Sequence, residues 1–255
     1  MDIALKTVLV TCTFYKSKSE TRFLIALRTI TKAIEAGYKI VVIDDSPDET
    51  IGDDFRRLGA NVLRQNEKGM GPSRRQGFSS ALVLYPYHRV FVWIEPEKDD
   101  LVRSIKKIVT PIILGEADCV HAGRTDAAWK TYPEFQQGTE AEANRLFSEI
   151  VGFEADYFFG PIAFSRAMAI AITLLQPQMF GINDMYVQQY VSAWVRLHGA
   201  RFDSVKVDFV YPPEQKLEEE TTLSDEMRAK RISQRDSIIA DLRTLKAALA
   251  KRIGN

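Results

Sequence analysis

Cysteine is scarce, with Cys12 and Cys119 far apart and no metal-like spacing between them, which excludes a disulfide-stapled scaffold and a thiolate metal centre. Both read as buried free thiols of a reducing compartment. Charge of one sign is also missing: 34 basic residues balance 34 acidic ones, so no global field draws nucleic acid or an anionic membrane surface. Any anion site has to be local. No apolar run is long enough to span a bilayer, and the opening MDIALKTVLVTCTF has neither a basic region nor a small-residue cleavage site. A cytoplasmic protein is the expectation. Internal repeats and low-complexity linkers are absent as well.

What is present is a hydrophobic content of 45% over 255 residues, enough for one large α/β domain with a small appendage. Thr7 to Thr13 reads as a strand, Thr21 to Ala36 as a helix stopped by Gly37, and Lys39 to Ile43 as a second strand. A short helix over 53–58, a strand over 60–64, a helix over 73–84 and a strand over 89–94 continue the alternation. That order predicts a Rossmann-like, mostly parallel twisted sheet with helices on both faces, in which ligands sit at the carboxyl ends of strands.

The second half is less regular. Helices are expected over 98–114, 140–151, 161–175 and 185–198, with strands over 117–123 and 201–211. The organisation expected is a domain over 1–212, its halves meeting near residue 100, followed by an acidic connection (217–226) within 213–255. The final helix, Ser224 to Ile253, gathers Ile232, Ile238, Ile239, Leu242, Leu245 and Leu249 on one side, a face suited to a homo-oligomer.

Three stretches carry chemistry. In KIVVIDDSPDET a buried-type strand ends on adjacent carboxylates, Asp44 and Asp45, before turn and helix-cap residues. A capped helix explains them as readily as a ligand does. In RQNEKGMGPSRRQGF, Gly69 and Gly71 allow close backbone approach while Lys68, Arg74 and Arg75 surround a turn that opens a helix, a place for a diphosphate. The plainer reading is a solvated basic turn. In VFVWIEPEKDD, Glu95 and Glu97 stand two apart, so in an extended segment both point toward one hard cation, Mg²⁺ or Mn²⁺; a polar loop is the alternative.

The order of TCTFYK, VVIDDSPDET, NEKGMGPSRRQGF and WIEPEK over the first hundred residues resembles family 2-like glycosyltransferases of the GT-A fold. The resemblance implies transfer of a sugar from a UDP- or GDP-sugar to a hydroxyl acceptor. It implies that Thr13, Phe14, Tyr15, Asp44 and Asp45 hold the nucleotide, with Lys68, Gly69, Gly71, Arg74 and Arg75 on the diphosphate. Glu95-Pro96-Glu97 stands where that family has a metal-binding Asp-x-Asp, which implies a divalent cation while departing from the usual ligands. EADYFFGPIAFSR resembles the acceptor-side segment, with Gly160 and Pro161, and GINDMYVQQY resembles the segment whose last carboxylate is the general base of an inverting reaction, here Asp184. An ordinary helix N-cap is the plainer role for Asp184. His88, His121 and His198 all read as surface or structural residues, and of the three the same resemblance allows only His198 as a late metal ligand. The segment 211–220 is a candidate lid or an exposed linker. Trp93, Trp129, Tyr157, Phe158 and Phe159 are sugar-stacking candidates that core packing explains equally well. A nucleotidyltransferase and a non-catalytic binding protein are the competing functions.

Overall fold

The computed structural model describes residues 2–221 and 224–253. Seven strands form one sheet in the order β3-β2-β1-β4-β6-β5-β7. They are β1 (Thr7–Thr13), β2 (Lys39–Asp44), β3 (Asn61–Arg64), β4 (Val90–Trp93), β5 (Cys119–Arg124), β6 (Ile162–Ser165) and β7 (Phe202–Val207). Only β6 runs against the others, pairing antiparallel with both β4 and β5. The sheet therefore crosses residue 100 without a break, and six strands deliver their carboxyl ends to one edge.

The central strands are continuous apolar runs because helices cover both faces. Alternate residues go to opposite sides: Leu9, Ile40, Val42 and Val92 pack with α1 (Thr21–Glu35), α2 (Glu49–Arg57) and α4 (Ile105–Leu114). Val8, Val10, Val41, Ile43 and Phe91 pack with the second layer. That layer comprises α3 (Met70–Leu84), α6 (Glu134–Val151), α7 (Arg166–Leu174), α8 (Val187–Leu197) and the carboxyl half of α10 (Ser224–Ile253). A single turn, α5 (Asp126–Trp129), follows β5.

Four expectations need correction. The stretch 161–175 is not one helix: Ile162–Ser165 forms β6, and Ser165 then caps α7 by accepting from the Met168 amide at 3.4 Å. Three apolar residues and a serine between two vacant strand edges gain more from pairing than from helical periodicity. Helix α6 begins at Glu134, six residues earlier than expected. The acidic stretch is helical over α9 (Pro213–Thr221), where Gln215 and Glu219 are buried against Tyr211, so it is neither an exposed linker nor an acidic coil; residues 222 and 223 lie outside the described residues. Most of the apolar side of α10 is occupied at home, with Ile238, Ile239, Leu242, Leu245 and Leu249 buried in the core, so of the face expected for an oligomer only Ile232 stays exposed.

Candidate active site

The ends of β1 and β2 form the first wall. Asp44, fully buried, accepts from Thr13 Oγ1 (2.8 Å), Ser46 Oγ (2.6 Å) and Arg64 Nη1 (3.1 Å). Its lone pairs are spent on fixing the loop. Asp45 differs: its amide donates to Thr13 O at 3.0 Å, and its half-buried carboxylate has no partner among the described residues. Of the two adjacent aspartates only Asp45 is therefore available to a ligand. Phe14 is 52% exposed and Tyr15 wholly buried, donating its hydroxyl to Glu97 (3.0 Å) while its ring packs edge-on against Phe23 and Phe55. Burial, then the Glu97 charge, pushes the Tyr15 phenol well above its ordinary range.

The glycine-rich turn opens α3, and its three cations have different fates. Lys68 is exposed and without a partner among the described residues. Arg74 is buried, stacked 5.0 Å over Trp93 and donating to Met185 O; burial lowers its affinity for a proton. Arg75 holds both oxygens of Asp184 in a fork, which raises its own pKa through that hydrogen bond. Gly71 explains how the loop 181–186 comes so near, because a Cβ there would overlap the carbonyl and carboxyl of Asp184. Helix α8 begins only at Val187, so Asp184 is not its N-cap; Asn183 instead closes the local turn by accepting from Met185 N at 2.6 Å.

Beyond β4 the two glutamates diverge. Glu97 accepts from Arg22 Nη2 at 2.6 Å as well as from Tyr15, and its side chain is 11% exposed. Glu95, with a 43% exposed side chain, pairs through Oε2 with Lys98 Nζ at 2.9 Å. Lys98 is buried among Phe159, Tyr132 and Phe209, its ammonium 4.9–5.6 Å from their ring centres and donating to Tyr132 Oη at 3.2 Å. Burial opposes the charge on Glu95, but Lys98 outweighs it and holds the carboxyl below its usual range. No group of three potential ligands converges among the described residues. Oε1 of Glu95 has no hydrogen-bond partner among the described residues, which leaves one protein oxygen for a hard cation that draws its remaining ligands from phosphates and water. The expected pairing of Glu95 with Glu97 on one ion is not built.

Gly160 and Pro161 reach the same edge: with φ +103°, Gly160 lies so close to Glu95 that a Cβ would sit 2.6 Å from Oε1. Below them, Arg124 at the end of β5 is fully enclosed. It meets Asp156 through Nε (2.7 Å) and Nη2 (2.6 Å), and Glu140 through Nη1 (2.7 Å), and lies 3.6 Å over the Trp129 ring. This network was not visible in the sequence, where its members are spread over 124–156. Lys98 was the more legible omission, since it stands three residues beyond Glu95.

The remaining candidates are structural. His198 ends α8 just before β7, away from the strand carboxyl ends, and its Nδ1 lies 2.7 Å from Trp194 O, so it does not reach Glu95. His121 is buried against Tyr157 and Phe202, and burial pulls its pKa down to about 3. Tyr157 and Phe159 are buried in the core, Tyr157 stacked at 3.8 Å on Phe147, while Trp93 is covered by Arg74 and Trp129 by Arg124. Half-buried Phe158 packs against the same core. Cys12 receives Ser73 Oγ at 3.1 Å, and burial pushes its thiol up to about 11. No helix among the described residues is long and apolar enough to cross a membrane.

No family model matches the chain, and no curated protein matches it. Solved structures do. Glucosyl-3-phosphoglycerate synthase from Mycobacterium tuberculosis, in complex with Mn²⁺, UDP-glucose and phosphoglyceric acid, superposes with a TM-score of 0.58 at 12% identity, covering 93% of this chain and 79% of that one. The fold is GT-A. A second structure of the same synthase gives a TM-score of 0.55 at 14% identity over 90% and 80% of the two chains. In this GT-A sheet β2 and β4 run out into Asp45 and Glu95 at their carboxyl ends, and Arg75 stands on α3, which packs on β1 and β2. At such identities the likeness is one of fold, and it does not reach to family 2 in particular.

Proposed function

We propose that the chain is a nucleotide-sugar-dependent glycosyltransferase that moves a sugar from a UDP- or GDP-sugar to a hydroxyl acceptor. The observation that carries the reading is the convergence of all four motif segments on one sheet edge of a GT-A fold matched over 93% of the chain. The neighbours described in complex with Mn²⁺ and UDP-glucose support a donor of this class. The free thiols Cys12 and Cys119 fit a reducing, cytoplasmic setting.

In this reading Asp45 accepts from the donor base or ribose, with Phe14 beside it, while Asp44, Thr13 and Tyr15 hold the loop in shape. Lys68 and the amides opening α3 at Gly69 and Gly71 receive the diphosphate, the positive end of a helix being suited to an anion. A divalent cation, held by Glu95, would neutralise charge developing on the leaving diphosphate. Asp184 is the base, and Arg75 is its gate: with both oxygens accepting guanidinium protons, Asp184 takes an acceptor proton only after Arg75 turns to the donor phosphates. Gly160 and Pro161 line the acceptor side next to Glu95.

A thermal-shift screen of UDP-, GDP- and dTDP-sugars with and without Mn²⁺ tests the reading, since a ligand bound only by the native state raises Tm by mass action. A rise with at least one donor supports it. No rise with any donor in a folded protein contradicts it.

A further inference from the structure

The two glutamates beyond β4 are each matched by a cation of the protein itself. Glu97 sits on Arg22 at 2.6 Å, and Glu95 on Lys98 at 2.9 Å. Asp184, drawn close over Gly71, is likewise held by Arg75. Asp45 stays unpaired among the described residues, but it follows β2, which lies two strands from β4 in the sheet. The end of β4 therefore offers a metal ion a ligand oxygen without a net negative charge.

Lys98 is held more firmly than a surface lysine. Three segments build its surroundings: Tyr132 after α5, Phe159 before the Gly160 turn, and Phe209 after β7, which meets Phe159 at 5.5 Å and Tyr132 at 6.1 Å. Arg124 lies against two of the same rings, 4.5 Å from Tyr132 and 5.3 Å from Phe159, so they are fixed from behind. Only 6% of the lysine side chain is exposed. Contact with a carboxylate, a hydroxyl acceptor and aromatic rings keeps an ammonium charged in such a place. Glu95 is thus caught between Lys98, which takes Oε2, and the Gly160 backbone, with Oε1 unbonded among the described residues. A bare divalent cation on Oε1 would share a carboxylate whose charge Lys98 already offsets, and so close to a buried ammonium the repulsion is little screened.

We propose that Lys98 is a positioning residue that makes cation binding conditional on the donor: it turns Oε1 of Glu95 to the site while cancelling the charge that would hold the ion alone. On the glycosyltransferase reading, on which this proposal rests, a nucleoside diphosphate supplies the missing negative charge and further ligand oxygens. By linkage the cation then strengthens nucleotide binding by the factor by which nucleotide strengthens cation binding.

The test measures Mn²⁺ binding to the full chain by electron paramagnetic resonance of the free ion, with and without UDP or GDP and corrected for Mn²⁺ held by the nucleotide alone. In the parent, nucleotide should tighten Mn²⁺ binding about 5- to 150-fold, the usual span of coupling between sites. Lys98→Met fills the same space among the rings without charge. It should bind Mn²⁺ in the absence of nucleotide at least about 5-fold more tightly than the parent, so that the coupling shrinks. Lys98→Arg keeps the charge and should keep the coupling. Equal Mn²⁺ affinity of the parent with and without nucleotide overturns the proposal before any variant is made. Parental coupling in a folded Lys98→Met overturns it too, as does weaker Mn²⁺ binding with a lower Tm in both variants, which marks a lysine that only packs. A parent that binds neither nucleotide, with or without Mn²⁺, overturns the glycosyltransferase reading instead.

Discussion

Arg75 and Asp184, 109 residues apart in sequence, close on each other as a two-pronged ion pair over Gly71. The pair joins the glycine-rich turn to the loop before α8, so Asp184 has a structural role besides any chemical one. With side chains only 15% and 14% exposed, the pair is shielded from water. Asp184→Asn should therefore lower stability by about 1–3 kcal/mol, through loss of the charged hydrogen bonds, in addition to lowering transfer about 10²- to 10⁴-fold. Urea denaturation and initial rates check the two effects separately. Near-parental turnover would leave Asp184 as a clasp only.

The adjacent aspartates should separate cleanly. Asp44→Ala strips the acceptor from Thr13, Ser46 and Arg64, and is expected to cost about 1–3 kcal/mol of folding stability. Asp45→Ala should leave stability within about 0.5 kcal/mol of the parent and weaken nucleotide binding by about 1–3 kcal/mol. Chemical denaturation and calorimetry with UDP and GDP decide it. Unchanged nucleotide affinity in Asp45→Ala would remove its base-reading role.

The divergence of the glutamates makes metal response a test of one residue. Glu95→Gln is expected to abolish the effect of Mn²⁺ on UDP affinity, and Glu97→Gln to preserve it, since the amide oxygen still accepts from Tyr15. Metal titrations of both variants check this. The reverse pattern would mean that Glu97 leaves Tyr15 and Arg22 to bind the ion.

His121 gives a pH dependence unrelated to catalysis. Its folded pKa of about 3 lies below the value near 6.5 of an unfolded histidine. The unfolded chain therefore binds the extra proton between these limits: stability is complete above pH 6.5 and falls by at most about 1.4 kcal/mol per unit as pH drops toward 3. His121→Phe keeps the ring between Tyr157 and Phe202 and should flatten the decline between pH 6.5 and 5. Parallel urea titrations at pH 7, 6 and 5 measure it, and identical slopes would show that His121 titrates normally.

Much of the fold was legible in local pattern. Runs such as VLVTCT and KIVVID announce strands covered on both faces, and Gly37 stops α1 where the sequence places the stop. Strand β6 was not legible, because four residues of IAFS carry too little periodicity and owe their state to the edges of β4 and β5. The site divides in the same way. Asp45, the glycine-rich turn and Glu95 follow from residue type and position, whereas the commitment of Asp44 to Thr13, of Glu97 to Arg22 and of Arg75 to Asp184 depends on partners 31, 75 and 109 residues away. No spacing rule reports such contacts. The apolar side of α10 was visible, but not that its own chain would cover it.

The most direct measurement is product analysis after incubating the protein with UDP-glucose and other nucleotide sugars in the absence of acceptor, with Mn²⁺ present. A glycosyltransferase releases the nucleoside diphosphate slowly through water acting as acceptor, and the account predicts UDP or GDP together with free sugar. Breakdown to nucleoside triphosphate and sugar phosphate in a parallel incubation with added pyrophosphate would contradict it and identify a nucleotidyltransferase. Binding of the nucleotide sugar with no turnover in the presence of a broad acceptor panel would contradict it as well, leaving a GT-A protein that binds its donor without chemistry.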